Sequence, residues 1–459
     1  MTPERSDAQA LQDTREVLSG DDRERQGNAV YAVYVAVIAA GAYGVPAAQS
    51  FFRVIDPAWL ATHLTGPSAV GLGAAALAGL LTFAYRAGRL RGPVVPGLPY
   101  LDTVAAGPLD RALTLRPWWR LAVFGCVVAG VLTGLVVGAG LAIAGLAGAL
   151  VLVPGVLGGG VVGLVVAGSW LHGQVRSWPT GDRGPDVFLR QRRSLRALHL
   201  TLLRIQSARA VTVGGAVLAG DLRAARLEVG TPVTRARRTR LRSRGPSATM
   251  VRRDLLGLRR SPGSAATGLV LTGAAAYALV HASGPGTPSV IALAGLVLAY
   301  LGVSTWSEGL RLQGDNAGTP PLLGIAPLDE ALAHLVVPGV GYLGTVAVVG
   351  LASVGLGHAT LVGVGWALVL AGLLVAAQAM AAFRGLPPVN LFSPGSGVVT
   401  TALWYAVPLL VPVVCGTAAT ALLTSDRASL AVSVLMGTTY LAALYARRRV
   451  RVLVEAHRA

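Results

Sequence analysis

Ten stretches of this sequence run without a single Asp, Glu, Arg or Lys, at about residues 29–49, 68–85, 121–141, 145–171, 265–282, 289–307, 335–356, 360–383, 398–423 and 428–446. Each is close to the roughly 20 residues that an α-helix needs to cross about 30 Å of hydrocarbon. Only 13% of the residues are charged, about half the share of an average soluble domain. The chain therefore reads as an all-α, polytopic integral membrane protein of about ten transmembrane helices. Aromatic residues make up 6% of it while Gly reaches 59, so the apolar bulk is Ala, Val, Leu and Gly, the mixture that lets helices approach closely in lipid. Gly130, Gly134 and Gly138 lie four apart on one face of the third stretch and predict such a packing face, against a helix of the same chain or of a second copy.

Arginine sets the orientation. All 39 basic residues are Arg. Arg86, Arg89, Arg91, Arg111, Arg116 and Arg120 fall in the 86–120 connection, the 173–263 segment is richer still, and the chain ends YARRRVRVLVEAHRA. Arg-rich connections stay on the cytoplasmic side, which leaves the short SGPGTP, GLGHAT and TSDR connections on the other face. Both termini are then cytoplasmic, as an even number of spans requires, in the inner or plasma membrane of the cell. The polar N-terminal stretch is too long for the start of a signal peptide, so the first apolar run is expected to be retained.

The expected organisation is a cytoplasmic segment over 1–28, a first membrane block of about four spans over 29–172, an Arg-rich cytoplasmic or interfacial segment over 173–263, a second block of about six spans over 264–447 and a basic cytoplasmic tail over 448–459. The border between the third and fourth spans is hidden, because GLAIAGLAGALVLVPGVLGGG contains no polar turn. The two blocks are unequal but weakly repeated. VAAGPLDRAL (104–113) and LGIAPLDEAL (323–332) share Pro-Leu-Asp-x-Ala-Leu, each in the connection after the second span of its block.

In the Arg-rich segment, Leu195, Leu198, Leu202 and Ile205 recur at helical spacing with arginines opposite, as in helices that lie on the membrane or pack together. Much of the net charge of +18 is here, which suits anionic lipid headgroups as partners. Nucleic acid is not an expected partner, since a basic inner loop is the ordinary consequence of topology. At the end of this segment, ATMVRRDLLGLRRSPGSAA (248–266) places Met250, Leu255, Leu256 and Leu258 on an apolar side, with Arg252, Arg253, Asp254, Arg259 and Arg260 making the remainder polar. This is the makeup of a short helix in the inner interface. Pro262 stops it and Gly263 is expected to permit the turn into the membrane, an elbow.

The chemistry of the chain is sparse. Without Lys there is no P-loop to hold ATP phosphates, and the two Gly-x-Gly-x-x-Gly strings, GGGVVG (158–163) and GVGYLG (339–344), sit in or at the edge of apolar runs, where they read as packing glycines. Cys126 and Cys415 lie in different runs with no Cys/His cluster, so neither a disulfide framework nor a metal site is expected. No Gly-x-Ser-x-Gly, His-Glu-x-x-His or paired carboxylates occur near the span ends, so the chain is read as no enzyme and as needing no cofactor. No span has a charge in its middle, where coupled transporters keep one. Gln378 is its most polar mid-span side chain, and His172, His281, His334 and His358 fall near span ends, as interfacial histidines in water do.

RRDLLGLRRSP leading into six spans resembles the start of an ABC-2-type exporter permease, whose subunits begin with such a connecting helix. A second piece of the same family pattern follows. After the second span such permeases carry an acidic residue, a Gly-Thr stretch, leucines, a proline and a short helix that touches the partner ATPase. Here SEGLRLQGDNAGTPPLLGIAPLDEALAHLVVPG supplies Glu308, Gly318-Thr319, Leu322-Leu323, Pro327 and a helix from Leu328 to Leu335. The first block repeats only Pro108 and the helix from Leu109, with Tyr85-Arg86 where the acid would stand. The resemblance covers 248–459 and extends weakly over 14–171; the Arg-only, Ala/Gly/Val-rich composition resembles that of a divergent actinobacterial multi-pass branch. It implies a membrane-spanning permease subunit driven by a separate ABC ATPase, as a homo- or hetero-oligomer. It also implies contacts to that ATPase at Pro327, Asp329 and Glu330, and at Pro108 and Asp110 of the first block, with Glu308 as a span-end anchor. The alternative reading is a non-transporting membrane scaffold or regulatory protein whose basic segment binds anionic lipid or an acidic partner.

Overall fold

The computed structural model describes residues 9, 31–53 apart from 32, 35 and 39, 67–177, 191–218, 245–284, 287–317, 319, 324–385 and 397–456. Nearly all of the expected segment 1–28, parts of the first span and of the Arg-rich segment, the end of the basic tail, Gly318 and Leu322-Leu323 lie outside the described residues. The chain divides into two compact units, Met1–Gly230 and Thr231–Ala459. The first contains α1 (Val45–Arg53), α2 (Pro67–Leu90), α3 (Arg111–Ile143), α4 (Leu152–Val175), α5 (Gln191–Ala197) and α6 (Leu200–Leu218). The second contains α7 (Pro246–Arg260), α8 (Pro262–Ala282), α9 (Ser289–Trp306), α10 (Glu308–Asp315), α11 (Pro327–Gly355), α12 (Leu361–Ala382), α13 (Gly397–Thr424) and α14 (Ala428–Ala456). Among the described residues there is no strand.

Among the described residues, eight helices are long and apolar enough to cross a membrane, namely α3 and α4 in the first unit and α8, α9, α11, α12, α13 and α14 in the second. Large apolar side chains such as Val348, Leu356 and Leu441 stand exposed along them, as they do on helices that face hydrocarbon and as the surface of a soluble domain avoids. This is a multi-pass membrane protein. Of the expected spans, the second coincides with α2, a helix of 24 residues, and the first lies only partly within the described residues.

The third span is longer than its charge-free core. α3 has 33 residues, about 50 Å at 1.5 Å per residue, so Arg111, Arg116 and Arg120 ride on its first turns and are not in a loop. A helix does not end where hydrocarbon ends.

The border between α3 and α4 needs no polar residue because glycine makes it. Gly145 has φ +77°; its N–H donates to Ala142 O at 3.1 Å, and that of Leu146 donates to Leu141 O at 3.1 Å. This is a Schellman cap. The same device ends α11, with Gly357 at φ +72° and His358 N–H donating to Ser353 O at 2.9 Å.

Small residues hold the α3–α4 pair together. A Cβ added at Gly134 would stand 1.9 Å from Gly155 O, and one at Gly130 would stand 2.1 Å from Gly159 O. At Gly138 the nearest atoms, in Leu152, would be 3.4 Å away. The stripe therefore meets a helix of its own chain, with Gly159 and Gly163 of the GGGVVG string in the facing row. α2 joins the other side of α4 in the same way, a Cβ at Gly173 falling 1.9 Å from Tyr85 O.

In the second unit α12 is the central helix, and Leu370, Leu374 and Trp366 from it pack with Leu279, Leu296, Val303, Tyr342 and Leu435. Tyr342, fully buried, donates its hydroxyl to Ala367 O at 2.9 Å, as a phenol in hydrocarbon requires. Gln378 is buried too, and its Nε2 donates to Tyr300 O at 3.0 Å. Gly341 of the GVGYLG string lies against the Trp306 ring. The element order of the two units is alike around the repeated Pro-Leu-Asp, but their closest pairs differ, being α3–α4 in the first and α8–α9 in the second.

Candidate functional site

The elbow at the start of the second unit turns within one residue. α7 ends at Arg260 and α8 begins at Pro262, so only Ser261 lies between, at φ −118° and ψ 65°. Gly263 is already helical, so the turn is made at Ser261, one residue before the proline and not after it. Pro262 stands in the first turn of α8, where its missing N–H leaves nothing unsatisfied.

The face that α7 turns to its neighbours is only partly the apolar side read from the sequence, Leu256 and Leu258 being half-buried. Met250 is buried, but Leu255 is 47% exposed, and the residue one turn after Met250 is Asp254, whose side chain is only 6% exposed. There the carboxylate meets His334 in the second turn of α11, with His334 Nδ1 donating to Asp254 Oδ2 at 2.6 Å. His334 is 1% exposed. It is therefore no interfacial histidine in water, because α7 covers it. Its Nε2 faces Glu330 Oε1 at 3.9 Å, which places one imidazole between two carboxylates.

A third element closes the cluster. Asp254 Oδ1 lies so close to Gly309 that a Cβ there would be 2.1 Å from it. Gly309 is in the first turn of α10, where backbone N–H groups lack intrahelical partners and the helix dipole favours a carboxylate. The cap residue Ser307 gives the helix no side-chain bond, its hydroxyl donating instead to Val303 O at 2.9 Å. Gln313 Nε2, at the far end of α10, donates to Pro327 O at 2.7 Å. Elbow, α10 and the start of α11 are thus tied by Asp254, His334 and Gln313 around a cleft of about 530 Å³, floored by Phe383 and Val450 and edged by Arg253 and Glu330.

The remaining expected residues distribute as follows. Asp329 is exposed in the first turn of α11, and Pro327 opens that helix. Glu308 lies exposed at the start of α10, 3.8 Å from Arg311; the acid buried against the span ends is Asp254. Arg253, Arg259 and Arg260 are exposed on α7 and Arg252 is half-buried. Of the other span-end histidines, His358 is exposed, while His172 and His281 are half-buried.

Pro108 and Asp110 of the first unit lead into α3, as their counterparts lead into α11, but Asp110 is already engaged. It caps α3 by accepting from Ala112 N–H at 3.1 Å. It also pairs with Arg196 at 2.6 Å and Arg192 at 3.0 Å, its own side chain being 13% exposed. The Arg196 guanidinium holds the Asp110 carboxyl below the usual carboxylate range, against partial burial that pushes it up and with help from the Ala112 N–H. The basic segment therefore packs on the unit's own end over 191–218. Leu195, Leu198 and Leu202 are buried as their spacing predicts, but Ile205 is 47% exposed and Leu203 takes its place. The break between α5 and α6 at residues 198–199 rotates the second helix.

Beneath these helices Gly92, Val94 and Pro96 of the 91–97 connection are buried, and side chains satisfy its backbone, as buried peptide groups demand. Gln174 Nε2 donates to Val94 O at 2.8 Å and to Gln206 Oε1 at 2.8 Å, and Ser207 Oγ donates to Pro96 O at 2.8 Å.

A carboxyl depressed by its partner stabilises the fold above its unfolded value, about 3.9, and that contribution is lost as pH falls through the lower folded value. Asp110→Ala is expected to remove the cap, at about 0.5–2 kcal/mol, and to raise amide exchange over residues 191–197. Asp110→Asn keeps a capping oxygen and should loosen only α5. Unchanged exchange in α5 for both variants would mean that the arginine pairs do not hold it.

Among the described residues no group of three or more His, Cys, Asp or Glu side chains is arranged to hold a metal ion. What the second-unit cluster offers is a mechanical joint, a buried polar pair that locks the elbow to the helix whose first turn carries the exposed Asp329. No family model matches the chain, and neither a curated protein nor a solved structure matches it.

Proposed function

We propose that this chain is the membrane-spanning permease subunit of an ABC-type exporter, driven by a separate ATPase subunit. The proposal takes the chain to have ten spans in blocks of four and six, both termini cytoplasmic, in the plasma membrane, as the arginine distribution favours. The observation that carries it is the Asp254–His334 pair. A permease without its own nucleotide site must accept a push on its cytoplasmic side and pass it into the spans. In this chain the exposed first turn of α11, with Asp329, is the surface to be pushed, and the elbow helix moves with it because Asp254 holds His334. Closure of the ATPase would then tilt α11 and α8 together and shift the bundle between two packed arrangements. In the first unit Asp110 is held by Arg192 and Arg196, so the second unit makes the principal contact.

The test is affinity purification of the detergent-solubilised protein from its own cells. A P-loop ATPase is expected to accompany it and to be lost from Asp329→Arg, a substitution at an exposed site that leaves the fold intact. Recovery of well-folded protein with no ATPase would overturn the proposal, as would an ATPase retained in full by Asp329→Arg.

A further inference from the structure

In the second unit a pocket of about 400 Å³ opens between α12, α13 and α14, within the roughly 300–1,000 Å³ of small-ligand sites. Its wall is apolar, built from Met380, Val411, Cys415 and Ala442. Its rim includes Leu441, 64% exposed on the side of α14, so the opening faces the hydrocarbon and not water. At one end stands Arg384, two residues beyond the last residue of α12. Its guanidinium lies 4.5 Å from the ring centres of both Trp404 and Tyr405, and Nη1 donates to Tyr405 O at 2.7 Å. Its Nε is buried with no hydrogen-bond partner among the described residues. No carboxylate pairs with it among the described residues, and the sequence has no Asp or Glu between Glu330 and Asp426. Arg449 donates to the carbonyl of Arg384 itself and brings a second cation to the same end.

A half-buried cation whose Nε is enclosed and which has no counter-ion among the described residues is costly, and an apolar pocket that opens to lipid is filled by acyl chain. Both needs are met by one molecule. We propose that this pocket is a site for an anionic phospholipid of the bilayer, one acyl chain lying along Met380, Val411 and Ala442 and its phosphate meeting Arg384, with Arg449 beside it. Charge complementarity selects the headgroup, since a zwitterionic lipid brings a third cation to a place that already holds two. The site depends only on the chain spanning a membrane, and stands or falls apart from the permease reading.

The test is native mass spectrometry of the purified protein after detergent delipidation, titrated with phosphatidylglycerol or phosphatidylcholine. Phosphatidylglycerol is expected to be retained about tenfold or more in excess of phosphatidylcholine, because both bring the phosphate and only phosphatidylcholine adds a cation that Arg384 and Arg449 repel. Arg384→Gln should abolish that preference, and exposed Arg451→Gln should not. Cys415→Phe, which fills the pocket and leaves the guanidinium in place, should abolish retention even if Arg384→Gln proves poorly folded. Equal retention of the two lipids by the parent protein would overturn the proposal. So would a preference that survives Cys415→Phe, capture of oleate in place of phosphatidylglycerol, or a lipid-free dimer that closes the pocket.

Discussion

Gly134→Leu is expected to lower the thermal stability of the solubilised protein by about 3 kcal/mol or more, the upper part of the range for overpacking. The reason is what the new side chain would meet. Its Cβ alone would stand 1.9 Å from the carbonyl oxygen of Gly155, and no rotamer relieves a clash at Cβ. The helices must part, and they part along the length of the pair, because Gly130 faces Gly159 and Gly163 faces Cys126 in the same seam. In soluble domains of comparable size, roughly 2–4 °C of melting temperature accompany each kcal/mol, so the shift is easily read. The controls lie in the same two helices. Gly125→Leu and Gly158→Leu enter open space and should leave the melting point near that of the parent. If Gly134→Leu melts with its controls, the glycine seam does not hold α3 to α4.

That seam was half legible in the sequence. The spacing of Gly130, Gly134 and Gly138 announces a face, but a face does not name its partner, and the choice between the same chain and a second copy is settled by tertiary structure. The spans were legible because hydrocarbon leaves few ways to satisfy a backbone, so eight charge-free runs reappear as helices. Their ends were less so. Charges on α3 mark where water begins and not where the helix stops, and Gly145 makes a turn with backbone conformation alone. The site was the least legible part. Asp254 sits in a run of arginines where a polar residue looks like surface, and His334 sits at a span end where an imidazole looks wet. Each is explained only by the other, 80 positions apart in sequence. The one available clue was the helical spacing that puts Asp254 one turn after Met250. In the basic segment, Ile205 fell off the predicted face because α5 and α6 break at residues 198–199, a break that shifts the register of everything after it.

The joint itself makes a sharper demand than any single substitution. Asp254→Ala strips His334 of its carboxylate and leaves a buried ring nitrogen unpaired, at a cost of about 1–3 kcal/mol, or about 3–5 kcal/mol if the broken pair is ionic. Gly309→Ala attacks the same carboxylate from the other side, since its Cβ would stand 2.1 Å from Asp254 Oδ1. Taken alone it should cost about as much, because Asp254 must swing away and release His334. The two effects are therefore not additive. Once Asp254 is Ala, the Cβ at 309 has nothing to strike, and Ala is a better helix former than Gly by about 1 kcal/mol. In the Asp254→Ala background, Gly309→Ala should then be neutral or stabilising. The expected coupling is at the upper end of the roughly 0.5–3 kcal/mol found between residues that touch. It is read from the four melting curves of the double-mutant cycle. Additive losses would mean that α10 and the elbow are held by something other than this carboxylate, and the joint would then have no claim to carry motion from α11 into α7.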